Sequence, residues 1–472
     1  GAAPRARAAQ GPLDGRGVRQ GTRGAALSRP APSWSARELR DEALAVLARN
    51  DVGGWTKPAP RLYPHQWSWD TAFIAIGLAR TDPDRALREL EHLFSAQWRD
   101  GRVPHIVFDP NARDYRPGPD LWASAVSELA PRTVATSGII QPPVHAIAVW
   151  RLLEVASSET IRARVAVLYP KLLAWHRYLA ERRDPEGSGL ITIYHPWEGT
   201  DNSPRWDAAL ARIAVGPIPP YARTDVSVVG ADQRPTSAEY DRYIWLVALL
   251  RDAGYDDTAI QRTHPFLIKD VQKSAVFSAA CRSLEWIAEL VGAPEGERSE
   301  IARWRERSGR AVERSWDETL GLALDTDLKT GKPVRVATSA GLCTLLVPGV
   351  DPSIAERTER TLFGPDFAGA SGLAFPVVLS TARTAPEFRP RAYWRGPAWP
   401  VSNWLLWWGM TQRGSDDSAS KLRSPNLAML SRPEAHFAEY FEPFTAEPLG
   451  SLDQSWTAAV ALDWLASEAI SD

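Results

Sequence analysis

Apolar residues recur at helical spacing along most of this chain. The segment at 35–50, SARELRDEALAVLARN, combines a Ser35 cap, Glu38 three residues later and apolar residues at that spacing. The segment at 82–100 repeats the design with Asp82 at the cap. Similar patterns predict helices at 137–154, 158–182, 237–253, 270–292, 297–315, 351–362, 396–412 and 454–469. Since no segment predicts a strand ladder, we expect an all-α fold.

The connections between these helices predict how the fold is organised. They are rich in proline and glycine, and several carry aromatic and charged residues. After residue 35 the chain has no low-complexity linker and no fixed repeat, which favours one domain over 36–472 and disfavours an open helical solenoid. Helices in hairpins then predict an (α/α)6 toroid whose inner helix ends and long loops surround a pocket. Residues 1–35 are expected to form a disordered tail or a mis-started leader.

Charge and composition limit the class of partner. Lys plus Arg at 55 against Asp plus Glu at 57 gives a net charge of -2, so we expect neither nucleic acid nor an anionic membrane surface as a partner. Only Cys281 and Cys343 are present, and no histidine pattern resembles a metal site, which favours a cytoplasmic protein without metal or organic cofactor. A small-molecule partner is expected, and a homo-oligomer is left open.

Tryptophan is unusually frequent, with 21 residues, and several lie beside acids in two distant stretches. In the first, 195–207, Asp201 is the best candidate for a catalytic acid. Asp207 is interpreted as a helix cap, and Glu198 and Arg205 as a structural pair. The indole ring stacks on sugar rings while its N–H bonds a hydroxyl. Acids among aromatic rings, brought together by folding, are typical of sugar-cleaving enzymes.

The second stretch, 436–459, offers three glutamates as a catalytic base. Glu439, Glu442 and Glu447 are equivalent candidates by spacing, so the residues alone do not choose among them. Gln454 begins the last predicted helix.

Two further segments offer pocket residues. At 61–80, Asp70 either caps a helix, with the neighbouring tryptophans in the core, or belongs to a sugar clamp with Trp67 and Trp69. His105, Tyr115 and Gln141 each have a structural alternative, but together they could form one wall of a pocket.

Five motifs in order resemble glycoside hydrolase family 63, and most closely its bacterial glucosylglycerate and mannosylglycerate hydrolases. They are Tyr63-Trp67-Trp69-Asp70, WEGTDNSPRW, RPTSAEYDRY, RAYWRGPAWPVSNWLL and EYFEPFTAEPLGSLDQSW. The resemblance implies an (α/α)6 toroid and inverting hydrolysis of an α-glycoside, here glucosylglycerate or mannosylglycerate. It assigns Asp201 as general acid and Glu439 as general base, with Glu447 as the runner-up.

The resemblance also implies two groups of substrate-binding residues. Those that resemble the glucosyl subsite are Tyr63, Trp67, Trp69, Asp70, Gln141, Trp197 and Trp399. Those that resemble the glycerate subsite are Tyr115, Arg234, Tyr240, Tyr393, Trp394 and Gln454. Relatives usually read Trp-Glu-Ser-Gly-x-Asp, whereas WEGTD here is shorter, so the role of Trp197 is the least secure of the set.

Three alternatives stay open at this point. A trehalase or another α-glucosidase would keep both acids without needing Arg234, and a catalytically silent sugar-binding protein would use the aromatic pocket alone. Arg234 itself would then form a surface pair with Asp232 or Glu239. For a hydrolase, the loops at 111–120 and 217–236 are predicted to close over the substrate.

Overall fold

The computed structural model describes residues 33–467, and most of its regular structure is helical. The helices are α1 (Ala36–Asn50), α2 (Ser68–Leu78), α3 (Pro83–Ser95), α4 (Pro119–Trp122), α5 (His145–Val155), α6 (Glu159–Arg177), α7 (Asp207–Ala211), α8 (Asp225–Val228), α9 (Ser237–Asp252), α10 (Asp257–Thr263), α11 (Val271–Leu290), α12 (Glu295–Arg314), α13 (Ser339–Leu342), α14 (Pro352–Leu362), α15 (Pro400–Gln412), α16 (Asp416–Leu430) and α17 (Ser455–Ala466). The predicted predominance of helices is confirmed.

Strands in the described part of the chain are two residues long and pair antiparallel. They are β1 (Gln66–Trp67), β2 (Ile106–Val107), β3 (Thr192–Ile193), β4 (Ile268–Lys269), β5 (Trp316–Asp317), β6 (Leu322–Ala323), β7 (Thr326–Asp327), β8 (Lys332–Pro333), β9 (Tyr440–Phe441) and β10 (Pro448–Leu449). The largest sheet has the order β3-β4-β7-β8, while β1-β2, β5-β6 and β9-β10 form separate pairs. These short pairs fasten loops between helices.

Local capping explains where several helices begin. Ser35 and Glu38 form the predicted capping box of α1, and Asp82 accepts a hydrogen bond from the backbone N–H of Arg85 at the start of α3. The helix predicted at 137–154 begins only at His145, because the two prolines after Gln141 lack backbone N–H donors and keep that segment extended. Gln141 therefore precedes the helix instead of opening it.

Five helices are buried on nearly all sides and form the centre of the molecule. Every residue of α2 is buried, as are most residues of α5, α11, α15 and α17. A helix that is apolar all round must be enclosed by others. Each inner segment packs on the next one along the chain, and the last packs on the first. The contacts are α2 with α5, α5 with α11, α11 with the 3-10 helix Cys343–Leu346, that helix with α15, α15 with α17, and α17 with α2. On these pack α1, α3, α6, α12, α14 and α16.

The inner helices present their N-terminal ends to one region. Trp69 and Asp70 lie in the first turn of α2, while Gln454 immediately precedes α17. Because loops before such ends carry aromatic and polar residues, the architecture gathers distant segments of the sequence around a single cavity. Among the described residues no helix is long and apolar enough to span a membrane.

The two residues before the predicted boundary at residue 36 already contact the described fold. Trp34 stacks on Phe437 with ring centroids 5.9 Å apart, and Ser35 caps α1. The remainder of the predicted tail, residues 1–32, lies outside the described residues.

Replacement of Gly77 by alanine tests the close contact between α2 and α17. A Cβ at Gly77 would lie 2.4 Å from the Cα of Ala459, so backbone would have to move. We expect Gly77→Ala to lower the free energy of unfolding by about 1–3 kcal/mol. The matched control is Gly296→Ala near the exposed start of α12, where a Cβ meets nothing within 4 Å and a gain of up to about 1 kcal/mol is expected. Equal urea-unfolding midpoints for both variants would contradict the packing described.

Candidate active site

The cavity at the N-terminal ends of the inner helices brings together residues from the whole chain. Its wall is dominated by aromatic rings, with a few acids, amides and a single guanidinium among the lining residues. The lining residues are Tyr63, Trp67, Trp69, Asp70, His105, Ile106, Tyr115, Pro117, Trp122, Gln141, Trp197, Gly199, Asp201, Asp225, Arg234, Pro235, Tyr240, Tyr393, Trp394, Glu439, Gln454 and Trp456.

All the predicted site residues except Trp399 line this cavity. Trp399 is buried behind it and stacks on Trp394 with ring centroids 3.9 Å apart and on Tyr440 at 4.5 Å. Its indole N–H donates to the backbone carbonyl of Tyr393 at 3.2 Å. Trp399 therefore does not line the cavity as the structure describes it, and its ring packs against Trp394, which does.

Glu439 is surrounded by hydrogen-bond donors. Its Oε1 accepts from the hydroxyls of Tyr63 at 2.8 Å and Tyr393 at 3.1 Å. Its Oε2 accepts from Nη2 of Arg234 at 3.2 Å and from the backbone N–H of Ser451 at 3.0 Å. Both carboxylate oxygens of Glu439 are therefore held by hydrogen-bond donors at the cavity wall.

The hairpin of β9 and β10 explains this placement. Glu439 immediately precedes β9, and its backbone N–H donates to the carbonyl of Ser451 at 2.8 Å. Gly450 lies between the end of β10 and Ser451 and has φ +71°. A Cβ at this position would approach Oε2 of Glu439 to 2.5 Å. Glycine is needed at this turn both for its conformation and for the space it leaves.

The competing glutamates lie in other environments. Glu442 accepts hydrogen bonds from the backbone N–H groups of Phe444 and Thr445, so it stabilises a turn. Glu447 is half exposed and pairs with Arg391 at 2.5 Å. Neither lines the cavity among the described residues, whereas Glu439 does. The position of Glu439 at the cavity supports its choice among the three glutamates.

Asp201 lines the same cavity, and its carboxyl has no hydrogen-bonded side-chain partner within the described residues. Burial raises the pKa of Asp201 to about 7, with Arg234 opposing this shift and the negative charges of Glu439 and Asp225 adding to it. A carboxyl with a pKa of about 7 is protonated in roughly half of the molecules at pH 7. The cavity therefore contains two carboxyls in different surroundings, one with a raised pKa and one held by hydrogen-bond donors.

The other charged residues beside Asp201 have structural partners that differ from those expected. Glu198 pairs with Arg183 at 2.8 Å, not with Arg205. Arg205 pairs with Asp325 at 2.6 Å. Glu198 and Arg205 are both buried. Each pairs with an oppositely charged residue on a distant segment, which spacing along the chain does not identify.

Asp207 is also placed differently from the prediction. It is the first residue of α7 but makes no capping hydrogen bond, and it pairs instead with Arg395.

Asp70 is not a helix cap either. The cap position of α2 is Trp67, and Asp70 lies inside the first turn with its side chain at the cavity. Gln454 Nε2 donates to its Oδ1 at 3.4 Å. Burial, followed by the charge of Glu439, raises the pKa of Asp70 well above its usual range. The carboxyl of Asp70 thus lies at the cavity, where the clamp interpretation expects an acceptor for two hydroxyls.

Arg234 contacts the proton acceptor. Besides Glu439, its Nη1 donates to the Tyr63 hydroxyl at 3.3 Å, and its guanidinium carbon lies 4.3 Å from the centre of the Tyr393 ring. Its Nε is buried without a hydrogen-bond partner in the described residues. The alternative interpretation of Arg234, a surface pair with Asp232 or Glu239, is wrong, because Asp232 pairs with Arg391 and Glu239 completes the capping box of α9. A buried cation with an unused donor is suited to an anionic ligand.

The two loops predicted to close over the cavity contact each other. Arg116 N–H donates to Oγ1 of Thr224 at 2.7 Å, and Thr224 N–H returns a hydrogen bond to the Arg116 carbonyl at 3.1 Å. Tyr115 from the first loop and Asp225 from the second line the cavity.

Sequence reasoning did not assign several lining residues, among them Trp122, Asp225 and Trp456. Trp122 lies at the end of the short helix α4, where its surroundings resemble an ordinary loop. Trp456 lies in an apolar helix and contacts Trp69 at 5.2 Å between ring centroids. In the sequence, the feature that could have pointed to Trp456 as a lining residue is its position near the N-terminal end of α17.

A cavity lined by aromatic rings and carboxyls is typical of a glycoside hydrolase. The family pattern described as a mannosylglycerate hydrolase MGH1-like glycoside hydrolase domain matches residues 63–457. The chain belongs to this family, and the predicted membership of glycoside hydrolase family 63 is confirmed.

Named relatives cover nearly the whole chain. Glucosylglycerate hydrolase from Mycolicibacterium hassiacum is 44% identical, with 92% of this chain and 99% of the relative covered. Mannosylglycerate hydrolase from Thermus thermophilus is 41% identical, with 90% and 99% covered. A crystal structure of the family 63 mannosylglycerate hydrolase from the same species, in complex with Tris and D-glycerate, has a TM-score of 0.82 at 40% identity, with 90% and 99% covered.

The Asp201→Asn variant tests the raised pKa through protein stability. Asp201 has a pKa of about 7 when folded and near 4 when unfolded. The folded protein binds the proton more tightly, so this stabilisation is fully present below about pH 4 and is lost as the pH rises through about 7. Asp201→Asn should therefore gain stability over the wild type at about pH 8, of the order of 2–4 kcal/mol, and lose this advantage toward about pH 4.

Urea-unfolding midpoints of both proteins at about pH 5, 6 and 8 check this expectation. A constant difference between the two proteins over this range would contradict the raised pKa.

Proposed function

We propose that this protein hydrolyses glucosylglycerate, and mannosylglycerate as well, to the hexose and glycerate with inversion at the anomeric carbon. The observation that carries the proposal is the position of Arg234, a buried cation with an unused Nε donor beside both candidate acids. Relatives named for these two substrates, and solved relatives in complex with glucose or D-glycerate, support it. The mechanism requires one acid and one base.

In the proposed reaction, Asp201 is the general acid. Its proton passes to the glycosidic oxygen as the bond between that oxygen and the anomeric carbon breaks, so that glycerate leaves with a neutral hydroxyl. Glu439 is the general base, which takes a proton from a water molecule on the opposite face while the water oxygen bonds the anomeric carbon. The different surroundings of the two carboxyls support these roles, since Asp201 is desolvated and Glu439 is surrounded by donors.

The hexose subsite is proposed to lie among the rings of Trp67, Trp69 and Trp197. Aromatic faces stack on the apolar faces of a sugar, and Asp70 and Gln141 supply polar groups for its hydroxyls. Gln141 Oε1 accepts from the backbone N–H of Trp69 at 3.1 Å, so its amide nitrogen is left for a ligand. This arrangement supports sugar binding by stacking with fixed polar contacts.

The proposed roles of three further aromatic residues follow from their positions. Trp394 and Tyr393 belong to the cavity wall, whereas Trp399 stabilises Trp394 from behind and need not touch the substrate. The shortened WEGTD segment still brings Trp197 to the cavity.

The glycerate subsite is proposed to lie around Arg234, with hydroxyls from Tyr115 and Tyr240. A guanidinium can bind a carboxylate through two parallel hydrogen bonds. Asp225 also lines the cavity, and its carboxylate is paired with Arg223 at 2.7 Å, which limits its repulsion of an anion. A neutral disaccharide such as trehalose would leave Arg234 without this partner, so the charge of the cavity favours a glycerate leaving group over a second sugar.

We also propose an architecture, a domain extent and a cellular location for the protein. The successive contacts of six inner segments and their six outer partners support an (α/α)6 toroid. One domain would cover 36–472, since its core is continuous from α1 to α17. Cytoplasmic location stays a prediction from the cysteine content, with Cys281 and Cys343 present as buried free thiols.

Removal of either proposed catalytic carboxyl should strongly lower turnover but not abolish ligand binding. We expect Asp201→Asn and Glu439→Gln each to lower kcat for glucosylglycerate by about 10²–10⁴-fold, because general acid and base catalysis contribute on that scale. Glu447→Gln is the control and should retain near wild-type activity. Glucose release and the anomer first formed, β for inversion, are measured together by NMR.

Calorimetric binding of glucose to the inactive variants separates catalysis from folding. Loss of activity in Glu447→Gln but not in Glu439→Gln would overturn the choice of base. Binding without hydrolysis by the wild type would instead favour a silent sugar-binding protein.

Comparison of glucosylglycerate with glucosylglycerol tests the role of Arg234. The two substrates differ by the carboxylate, and a hydrogen-bonded charge pair contributes about 1.5–3 kcal/mol. We expect the wild type to prefer glucosylglycerate by about 10–100-fold in kcat/KM, and Arg234→Gln to lose most of that preference. Because Arg234 also contacts Glu439, both rates should fall in the variant, and the ratio is the informative quantity. An unchanged ratio would contradict the proposed subsite.

A further inference from the structure

The segment that carries Asp201 is bound to a cluster of charges outside the cavity. Arg205, Asp270, Lys273 and Asp325 are all buried, and none of them lines the cavity in the described part of the chain. Burial of charged groups is costly, and replacement of such a cluster by apolar residues is often neutral for stability. A role other than stabilisation of the core would account for it.

Arg205 connects this cluster to the residue next to Asp201. Its Nη2 donates to Oγ1 of Thr200 at 2.7 Å, and its guanidinium lies 4.2 Å from the centre of the Trp206 ring. The indole N–H of Trp206 in turn donates to the Thr200 carbonyl at 2.7 Å. Thr200 is therefore held through both its side chain and its backbone.

The other members of the cluster attach Arg205 to the start of an inner helix. Asp325 accepts from Nη1 of Arg205 at 2.6 Å and from the backbone N–H of Val271 at 2.9 Å. Asp270, the cap of α11, lies 3.3 Å from the same Nη1 and accepts from the backbone N–H of Lys273 at 2.7 Å. Because α11 is buried in the centre of the fold, it is a rigid reference for the segment.

A second set of contacts holds the opposite side of Asp201. The backbone N–H of Asn202 donates to the hydroxyl of Tyr243 at 3.2 Å. The side-chain Oδ1 of Asn202 accepts a hydrogen bond from Nε of Arg395, also at 3.2 Å. Thr200 and Asn202 are thus fixed, while the carboxyl of Asp201 between them has no side-chain partner among the described residues. The position of this carboxyl is determined through its neighbours.

We infer that Arg205, anchored by Asp325 and Asp270, is a positioning residue that holds Asp201 where it can protonate the leaving oxygen. The inference rests on the proposed role of Asp201 as general acid. A general acid must lie within hydrogen-bond reach of the atom that it protonates, and a displacement of about 1 Å can lower the rate by about 100-fold. Loss of the Arg205–Thr200 hydrogen bond would release the backbone before Asp201 and allow such a displacement.

The test uses two glucosyl substrates that differ in their need for an acid. Glycerate leaves only with a proton, whereas fluoride leaves from α-glucosyl fluoride without one. Arg205→Lys should therefore lower kcat for glucosylglycerate by about 100-fold, with little change in KM, and lower kcat for the fluoride by less than about 5-fold. Thr200→Val, which removes only the hydroxyl that accepts from Arg205, should show the same selectivity to a smaller degree.

Two controls separate this role from a general loss of structure. Arg151→Lys alters another largely buried guanidinium, paired with Asp463 at 2.8 Å and absent from the cavity lining, and should affect both substrates equally. Asp201→Asn should show the full selectivity. If Asp201→Asn shows it but Arg205→Lys and Thr200→Val affect both substrates alike, the positioning role is wrong. If Asp201→Asn also affects both alike, the proposed acid itself is wrong.

Discussion

The proposed chemistry requires two carboxyls with different surroundings in one cavity. Asp201 is desolvated without a side-chain partner, which raises its pKa to about 7. Glu439 receives hydrogen bonds from two phenols, a guanidinium and a backbone amide. The negative charge of Glu439 raises the pKa of Asp201 further. These two environments support the proposed roles of Asp201 as acid and Glu439 as base.

The helical frame satisfies this requirement by bringing distant loops to one place. Inner helices that are buried on all sides fix the directions of their N-terminal ends, and the loops before those ends supply the acids and the rings. Short strand pairs add local rigidity, as β9 and β10 do for Glu439. Large aromatic residues line the same cavity as Asp201. The abundance of tryptophan is thereby connected to the chemistry as well as to the core.

Local sequence signals predicted the helices well because their causes are local. The Ser35 capping box and the Asp82 cap require only neighbouring residues, and both are present. The partners of Glu198 and Arg205 were wrong because ion pairs between buried groups form across the fold. Among the glutamates, spacing could not select Glu439, whereas family resemblance named it and the donors around it support that assignment. Trp399 shows a further limit, since a motif does not reveal which ring is at the surface and which lies behind it.

The most direct test of the account is the dependence of kcat/KM on pH for two substrates of the wild type. With glucosylglycerate, activity should fall above about pH 7 as free Asp201 loses its proton, given its pKa of about 7. With α-glucosyl fluoride, which needs no proton to leave, the same fall should be absent. A fall at the same pH for both substrates would contradict the assignment of Asp201 as the acid, and so would no fall for either.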